Sequence, residues 1–325
     1  EQLDAMAYIM EDCAKKQKNI TEECRSNLQD IAYRARERGI KVIDEQLWEK
    51  ENGRWQLVMK VMVKDGCVTT RELTKAVAGA LNRRMIPEKD TKTLIGKGVN
   101  LYTYEEEPRF QAIYGVARMV KDGAAVSGDN FSFLEPESGK MVMCLSDGMG
   151  SGSLACKESE MVIELVEKFL EAGFDVETAA RMMNSAMVMK GQEDLFSTVD
   201  ISELDLYDGT CRFYKIGAAA TFIRRNGIVE CLISTSLPVG VSYKLDMEKS
   251  EKDLYNGDFL VMVSDGVLEY LHVPNPEETM QEIIESIETN NATILAKRIL
   301  ERVLLFTGGK AADDMTVLAT AIWEK

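Results

Sequence analysis

The chain has little histidine: His272 is the single one among 325 residues. A serine or cysteine nucleophile that relies on a histidine base would have to use that residue, and zinc sites of histidine and cysteine lack ligands at workable spacing. We interpret His272, which follows Glu-Tyr-Leu just beyond an Asp-Gly pair, as a loop residue. The sequence therefore disfavours whole classes of mechanism.

Long apolar segments are also missing, so nothing in this chain is predicted to span a membrane. The seven cysteines are scattered and include no Cys-x-x-Cys pair, which fits a reducing, cytoplasmic compartment. Because the chain begins with Glu1 rather than methionine, we expect a piece of a longer protein. A membrane anchor could belong to the remainder.

Negative charge is in excess, with a formal net charge of −15, but it is unevenly distributed. Residues 1–107 hold 19 acidic and 19 basic side chains, whereas residues 108–325 hold 35 acidic and 20 basic ones. The change predicts a domain boundary near Pro108. An acidic body repels phosphate backbones, so we expect no nucleic acid partner.

The first domain, residues 1–107, contains no chemical motif and is expected to serve regulation or assembly. Apolar residues recur every three or four positions over residues 3–38, which predicts a long helix that stops at Gly39. Its apolar face either packs on its own domain or pairs with a second copy, and the sequence leaves both open. Residues 40–107 predict a small ββαβ unit: strands 41–48 and 55–63 around an Asn-Gly turn, a helix from 69 or 70 to about 84, and strand 99–104.

From residue 110 onward strands dominate, with helices grouped in pairs, which predicts an α+β layered domain. The four consecutive strands after the first helix pair are joined by Asp-Gly and Asn-Gly turns, so we predict an antiparallel meander there. The predicted strands are 110–120, 124–134, 141–145, 196–206, 211–216, 219–224, 228–233, 259–263 and 315–322, and the predicted helices are 154–170, 176–189, 277–289 and 292–305.

Acidic residues recur at the ends of apolar runs. The apolar runs 141–145 and 259–263 are each followed by Ser-Asp-Gly, so Asp147 and Asp265 each stand two residues after the end of a run. The pair Asp313 and Asp314 stands immediately before a third run, and Asp129 lies in Ser-Gly-Asp-Asn. Each Asp-Gly pair alone is typical of an ordinary turn. Their recurrence predicts that the four points form one site.

Carboxylates about 4 Å apart would repel by ~1 kcal/mol per pair in water and ~4 kcal/mol at a protein-like effective dielectric. Cations must therefore neutralise such a cluster. Oxygen ligands favour magnesium or manganese, and calcium less, since no loop has EF-hand spacing. Two cations ~3.5–4 Å apart would activate a shared water toward a phosphoester, so no histidine base is needed.

Three other motif interpretations fail on detail. The glycines at 148–152 do not form a dinucleotide-binding loop, because the third glycine would fall at Ser153. No Gly-Lys-Ser/Thr loop exists, which disfavours a nucleotide-dependent kinase. Residues 205–210 resemble the nucleophile loop of haloacid-dehalogenase-type phosphatases but lack Asp-x-Asp, and we interpret them as a hairpin turn.

The ordered set of motifs resembles the metal-dependent 2C-type (PPM) serine/threonine phosphatases, and within them the phosphatase domains of the stage II sporulation protein E family. The resemblance covers residues 110–325 well, whereas residues 1–107 resemble that family's regulatory segment less specifically. It implies an αββα sandwich of two antiparallel sheets flanked by helix pairs. The motifs are Gly-Val-Ala-Arg at 115–118, Ser-Gly-Asp at 127–129, Ser-Asp-Gly-Met-Gly at 146–150, Leu-Pro-Val-Gly at 237–240, Ser-Asp-Gly at 264–266 and Asp-Asp-Met-Thr at 313–316.

Carried over by position, the resemblance implies two Mn²⁺ or Mg²⁺ ions. Asp147 would bridge both, with the Gly148 carbonyl as a further ligand. Asp265 and Asp313 would hold one ion, so that Asp147, Asp265 and Asp313 are the catalytic set. Asp129 would serve the other ion directly or through water, and Asp314 would stand behind the direct ligands. The arginine and the Glu-Asp pair of eukaryotic relatives are not recognisable, which leaves the phosphate contacts unassigned.

The resemblance further implies a protein serine phosphatase that acts on a phosphorylated anti-sigma factor antagonist and so activates a sporulation sigma factor. It implies the cytosolic part of a membrane-anchored protein at the division septum, and residues 1–107 could form a homodimer. The main alternative is a non-catalytic scaffold of the same fold that binds a partner.

Overall fold

The computed structural model describes residues 22–49, 53–88, 91–136, 139–150, 152–189, 196–306, 308–311 and 313–325. The chain forms two compact units, Glu1–Glu107 and Pro108–Lys325. Most of the predicted long helix, residues 3–21, lies outside the described residues. Among the described residues, no helix is both long and apolar enough to cross a bilayer.

The first unit is a four-stranded antiparallel sheet with two helices. The sheet order is β1-β2-β6-β4, and a two-stranded ribbon pairs β3 with β5. The predicted hairpin of the first two strands is confirmed, but the short strands β3 to β5 were not predicted, because two or three residues carry no periodicity. The elements are α1 (Glu22–Glu37), β1 (Ile40–Glu49), β2 (Trp55–Val63), β3 (Val68–Thr69), α2 (Thr70–Leu81), β4 (Met85–Pro87), β5 (Leu94–Ile95) and β6 (Asn100–Glu106).

The second unit is an αββα sandwich, as predicted. Its two five-stranded antiparallel sheets have the orders β14-β11-β10-β9-β8 and β13-β12-β15-β16-β7. Helices α3 and α4 cover the first sheet, and α6 and α7 cover the second. The elements are β7 (Phe110–Met119), β8 (Asp129–Leu134), β9 (Lys140–Gly148), α3 (Ser153–Glu171), α4 (Val176–Met189), β10 (Ser197–Asp205), β11 (Thr210–Ile216), β12 (Thr221–Arg225), β13 (Ile228–Leu232), β14 (Glu248–Asp253), β15 (Phe259–Val263), α5 (Asp265–Glu269), α6 (Pro276–Glu285), α7 (Ala292–Phe306) and β16 (Met315–Glu324).

The apolar runs before the acidic points are strands buried on both faces. In β9, Val142 and Cys144 pack toward the helices, whereas Met143 and Leu145 pack toward the second sheet. Successive side chains of a strand point to opposite faces, so a strand with helices on one side and a sheet on the other must be apolar throughout. Strand β15 follows the same rule.

The predicted meander is wrong. Strands β10 and β11 pair in the first sheet, whereas β12 and β13 pair in the second, so the chain changes sheets after Ile216. Turn residues indicate which neighbours form a hairpin, but they carry no information about the sheet that a hairpin joins. Strand β14 was missed because its sequence, Glu-Lys-Ser-Glu-Lys-Asp, has no apolar pattern.

Two local predictions in the second unit have different outcomes. His272 lies in an exposed loop after α5, as predicted, with a φ of 48°. The strand predicted from residue 124 begins only at Asp129. The backbone N–H of Gly128 donates to the Asp314 side chain instead of joining a strand, and this delays the start of β8.

Candidate metal centre

Two of the predicted acids are paired by backbone register. Asp129 at the start of β8 lies opposite Asp147 near the end of β9. Direct partners in an antiparallel pair have Cβ atoms about 4.5–5.5 Å apart and side chains on the same face. Asp147 shares the phase of Met143 and Leu145, which face the second sheet. Both carboxyl groups therefore lie between the two sheets.

The other acids come from two adjacent strands of the second sheet. Val263 of β15 pairs with Val317 of β16, so the end of one strand lies beside the start of the other. Gly266 makes the close approach possible: a Cβ there would lie 2.2 Å from the Asp314 carbonyl oxygen and 3.3 Å from the Asp313 Cβ. The glycine of this Ser-Asp-Gly motif is thus required by packing.

Asp314 ties the second sheet to the loop before β8. Its carboxylate accepts hydrogen bonds from the backbone N–H groups of Lys121 (2.9 Å) and Gly128 (2.7 Å). The Gly128 carbonyl in turn accepts a hydrogen bond from the Gly148 N–H (3.3 Å). Both carboxylate oxygens of buried Asp314 thus accept hydrogen bonds from the backbone. This arrangement suits a residue that holds the loop in place and does not bind an ion directly.

The electrostatics of the paired acids are unfavourable. Burial, with the neighbouring carboxyl groups of Asp265 and Asp129, raises the pKa of Asp147 to about 11. Asp129 is fully buried, and neither of its carboxylate oxygens has a hydrogen-bond partner. Burial also raises the pKa of Asp129, although the nearby hydroxyls of Thr316 and Ser264 offset part of the rise. Since an unpaired buried carboxylate is costly, the donor set fits a hard cation.

The side chains do not yet form a ligand shell. Among the residues that the structure describes, no three acidic, histidine or cysteine side chains stand at distances suited to one ion. Asp129, Asp147 and Asp265 are neighbours, but Asp265 is exposed. Asp313 instead faces Lys121, with 3.6 Å between Oδ1 and Nζ. Rotation of the exposed Asp265 and Asp313 side chains is what ion binding would require.

Several residues around the acids were not singled out from the sequence. The Ser264 hydroxyl accepts a hydrogen bond from the Thr316 N–H (2.9 Å), and the Thr316 hydroxyl is buried without a partner. Arg118 donates from Nη2 to the Asp129 carbonyl (2.7 Å) and lies over the Phe131 ring. The signal for Ser264 and Thr316 was their position inside the acidic motifs, and that for Arg118 was its place in the Gly-Val-Ala-Arg motif, whereas Lys121 carried none.

Comparisons with known proteins agree with this architecture. The profile of the stage II sporulation protein E (SpoIIE) family matches residues 137–322. Stage II sporulation protein E of Bacillus subtilis is 28% identical over 323 residues, which are 99% of this chain and 39% of that protein. The chain thus spans about two fifths of that relative. A solved structure of its PP2C phosphatase domain with a fragment of the regulatory domain covers 100% of this chain and 95% of that one, at a TM-score of 0.70 and 27% identity.

Two further proteins match parts of the chain. Phosphoserine phosphatase RsbX of Bacillus subtilis is 35% identical over 86 residues, 26% of this chain and 41% of that protein. The catalytic domain of the serine/threonine protein phosphatase PstP, solved with two manganese ions, covers 66% of this chain and 100% of that one. Its TM-score of 0.51 at 17% identity is a likeness of fold alone.

Proposed function

Since the chain belongs to the stage II sporulation protein E family, we propose that it is a metal-dependent protein serine phosphatase. The observation that carries the proposal is the pair of opposed acids, buried Asp129 and half-buried Asp147, with Asp265 beside them. Their desolvation is unfavourable without cations, because, unlike the buried Asp200 carboxylate, which is ion-paired with Lys215, the Asp129 carboxylate has no hydrogen-bond partner.

Two Mn²⁺ or Mg²⁺ ions would be held by the predicted residues. Asp147 would lie between both ions, Asp265 and Asp313 would hold one, and Asp129 with the Gly148 carbonyl would complete the set. When bound, such a pair of ions supplies an activated water and neutralises charge on the phosphoester. The relative PstP, solved with two manganese ions, supports the number and type of ion.

Neighbouring residues of the chain would hold the ligands in position. The Asp314 carboxylate fixes the loop before β8 through Gly128, which favours a place behind the direct ligands. Arg118 holds the Asp129 backbone through its carbonyl. The Ser264 and Thr316 hydroxyls face the Asp129 carboxylate, where they can stabilise its ionised form.

The substrate we propose is a phosphoserine on an anti-sigma factor antagonist, whose dephosphorylation activates a sporulation sigma factor. The family membership and the relative named phosphoserine phosphatase RsbX support this class of substrate. By the same family argument, the chain would be the cytosolic part of a membrane-anchored protein at the division septum.

A phosphatase assay with and without manganese tests the proposal. The full chain should hydrolyse a generic phosphoester such as p-nitrophenyl phosphate, and a phosphoserine antagonist protein, only when manganese or magnesium is present. Chelation with EDTA should abolish turnover and re-addition should restore it. A chain that binds manganese but hydrolyses neither substrate would instead support the alternative, a non-catalytic scaffold of the same fold.

We also propose that residues 1–107 regulate the phosphatase unit or assemble it into a homodimer. Each unit has a hydrophobic core of its own, which supports separate folding. A chain that starts at Pro108 should remain folded but change in rate, in oligomeric state, or in both. Turnover with manganese and mass by light scattering measure this, and identical values with and without residues 1–107 would remove the proposed role.

A further inference from the structure

The four carboxylates and two divalent cations of the candidate centre would have no net positive charge to attract a phosphorylated substrate. The side chains of Asp129, Asp147, Asp265 and Asp313 carry four negative charges when ionised, which two divalent cations only balance. A phosphoserine side chain adds about 1.5 to 2 negative charges at neutral pH. A basic side chain beside the ions would therefore favour substrate binding. This reasoning rests on the proposed function.

Lys121 is a cation held at the rim of this centre. It follows β7, and its backbone is fixed on both sides. Its N–H donates to Asp314 Oδ1 (2.9 Å) and its carbonyl accepts from the Ala124 N–H (2.9 Å). The next residue, Asp122, donates to the Ala311 carbonyl (2.7 Å). Because the backbone is fixed and the side chain is long, the Lys121 ammonium group can change position but stays near the acidic residues.

The ammonium group of Lys121 already lies among the candidate ligands. Its Nζ is 3.6 Å from Asp313 Oδ1, and the two side chains are 36% and 41% exposed. An ion pair as exposed as this adds little to folding stability. If Asp313 turns to an ion, the Lys121 ammonium loses its partner while it remains beside the centre and open to solvent.

Arg118, a second cation close to the site, is already engaged. Arg118 donates to the Asp129 carbonyl (2.7 Å) and its guanidinium lies 5.6 Å from the centre of the Phe131 ring. These contacts join β7 of one sheet to β8 of the other, so Arg118 has a structural role that occupies its guanidinium group. Lys121 is therefore the better candidate for a contact with substrate.

We propose that the Lys121 ammonium binds the phosphoryl oxygens of the phosphoserine substrate, exchanging its ion pair with Asp313 for that contact. The contact is a charge-assisted hydrogen bond, so its loss should weaken phosphate binding by about tenfold to a hundredfold. Because Lys121 competes with cations for Asp313, its removal should leave manganese affinity unchanged or make it tighter.

The test uses the full chain with Lys121→Met, which keeps the length of the side chain but removes its charge. Lys121→Arg keeps the charge and should retain most of the binding. Lys168→Met is the matched control, since Lys168 is an exposed lysine on α3 that is ion-paired with Glu164 at 3.1 Å. Calorimetry would measure binding of manganese, and then of inorganic phosphate to the manganese-loaded protein. The KM for p-nitrophenyl phosphate is a second readout.

The proposal predicts weaker phosphate binding and a higher KM for Lys121→Met, with manganese affinity retained and Lys168→Met like the wild type. Unchanged phosphate binding in Lys121→Met would overturn it, as would a loss of manganese affinity that accounts for the whole effect. If the wild-type chain binds manganese but no phosphate, the proposed role of Lys121 is wrong, while the proposed metal centre still stands. Absence of manganese binding by the wild type overturns the proposed function together with it.

Discussion

The Asp147→Asn variant is expected to lose manganese-dependent phosphoester hydrolysis by at least about a thousandfold, which corresponds to ~4 kcal/mol of transition-state stabilisation. The reason is the position of Asp147, the carboxyl group that lies beside both Asp129 and Asp265. An amide at this place removes the one charge that both ions would share. Asp265→Asn should have a comparable effect, because it removes a ligand from one ion.

Rates of p-nitrophenyl phosphate hydrolysis across a manganese titration measure this loss. The matched control is Asp208→Asn, which changes an acid whose side chain accepts a hydrogen bond from the Thr210 N–H in a hairpin turn. Asparagine can accept the same bond, so this variant should keep full activity. Circular dichroism should show all three variants folded. Undiminished turnover in Asp147→Asn or Asp265→Asn would refute the site.

The second large effect concerns the stability of the metal-free protein, which should fall as the pH rises. The pKa of Asp147 is raised to about 11 by burial and by the carboxyl groups of Asp265 and Asp129. In the unfolded chain it returns to about 3.9. Between those values the folded chain binds a proton that the unfolded chain does not. Stability is therefore lost with rising pH, by at most about 1.4 kcal/mol per pH unit.

Urea denaturation in EDTA at pH 5.5 and pH 8 measures this slope. Other groups also titrate, so the informative quantity is the difference between the wild type and Asp147→Asn, which lacks the ionisable group. We expect the variant to be the more stable of the two at pH 8 in EDTA. Manganese should reduce that difference, since it binds the wild type, and a ligand at a hundred times its Kd adds about 2.7 kcal/mol to the protein that binds it. Equal slopes in EDTA would contradict the coupling of these carboxyl groups.

Much of the fold could be predicted because the strands of the sandwich centre are apolar on both faces. Residues 141–145 and 259–263 are recognisable for this reason, and the helix Val176–Met189 has the predicted bounds. The division of strands between the sheets could not be predicted, since the turn residues of a hairpin do not indicate which sheet it joins. The charged edge strand Glu248–Asp253 lacks any apolar signal.

The site shows the same division between what local sequence reveals and what it does not. Asp147 and Asp265 were recognisable because each follows an apolar run, and Asp313 because it stands just before one. Pairing of Asp129 with Asp147, 18 positions further along the chain, depends on the register between β8 and β9, and the sequence does not state it. The contacts of Arg118 and Lys121 cross from one sheet or loop to another, so no local pattern could announce them.

Manganese titration of the full chain, followed by the loss of the free-ion electron paramagnetic resonance signal, tests the central claim most directly. Two ions should bind per wild-type chain, and Asp147→Asn should fail to bind the pair while Asp208→Asn binds both. A wild-type chain that leaves all the manganese free, or an Asp147→Asn chain that still takes up two ions, would contradict the convergence of these acids on one metal centre.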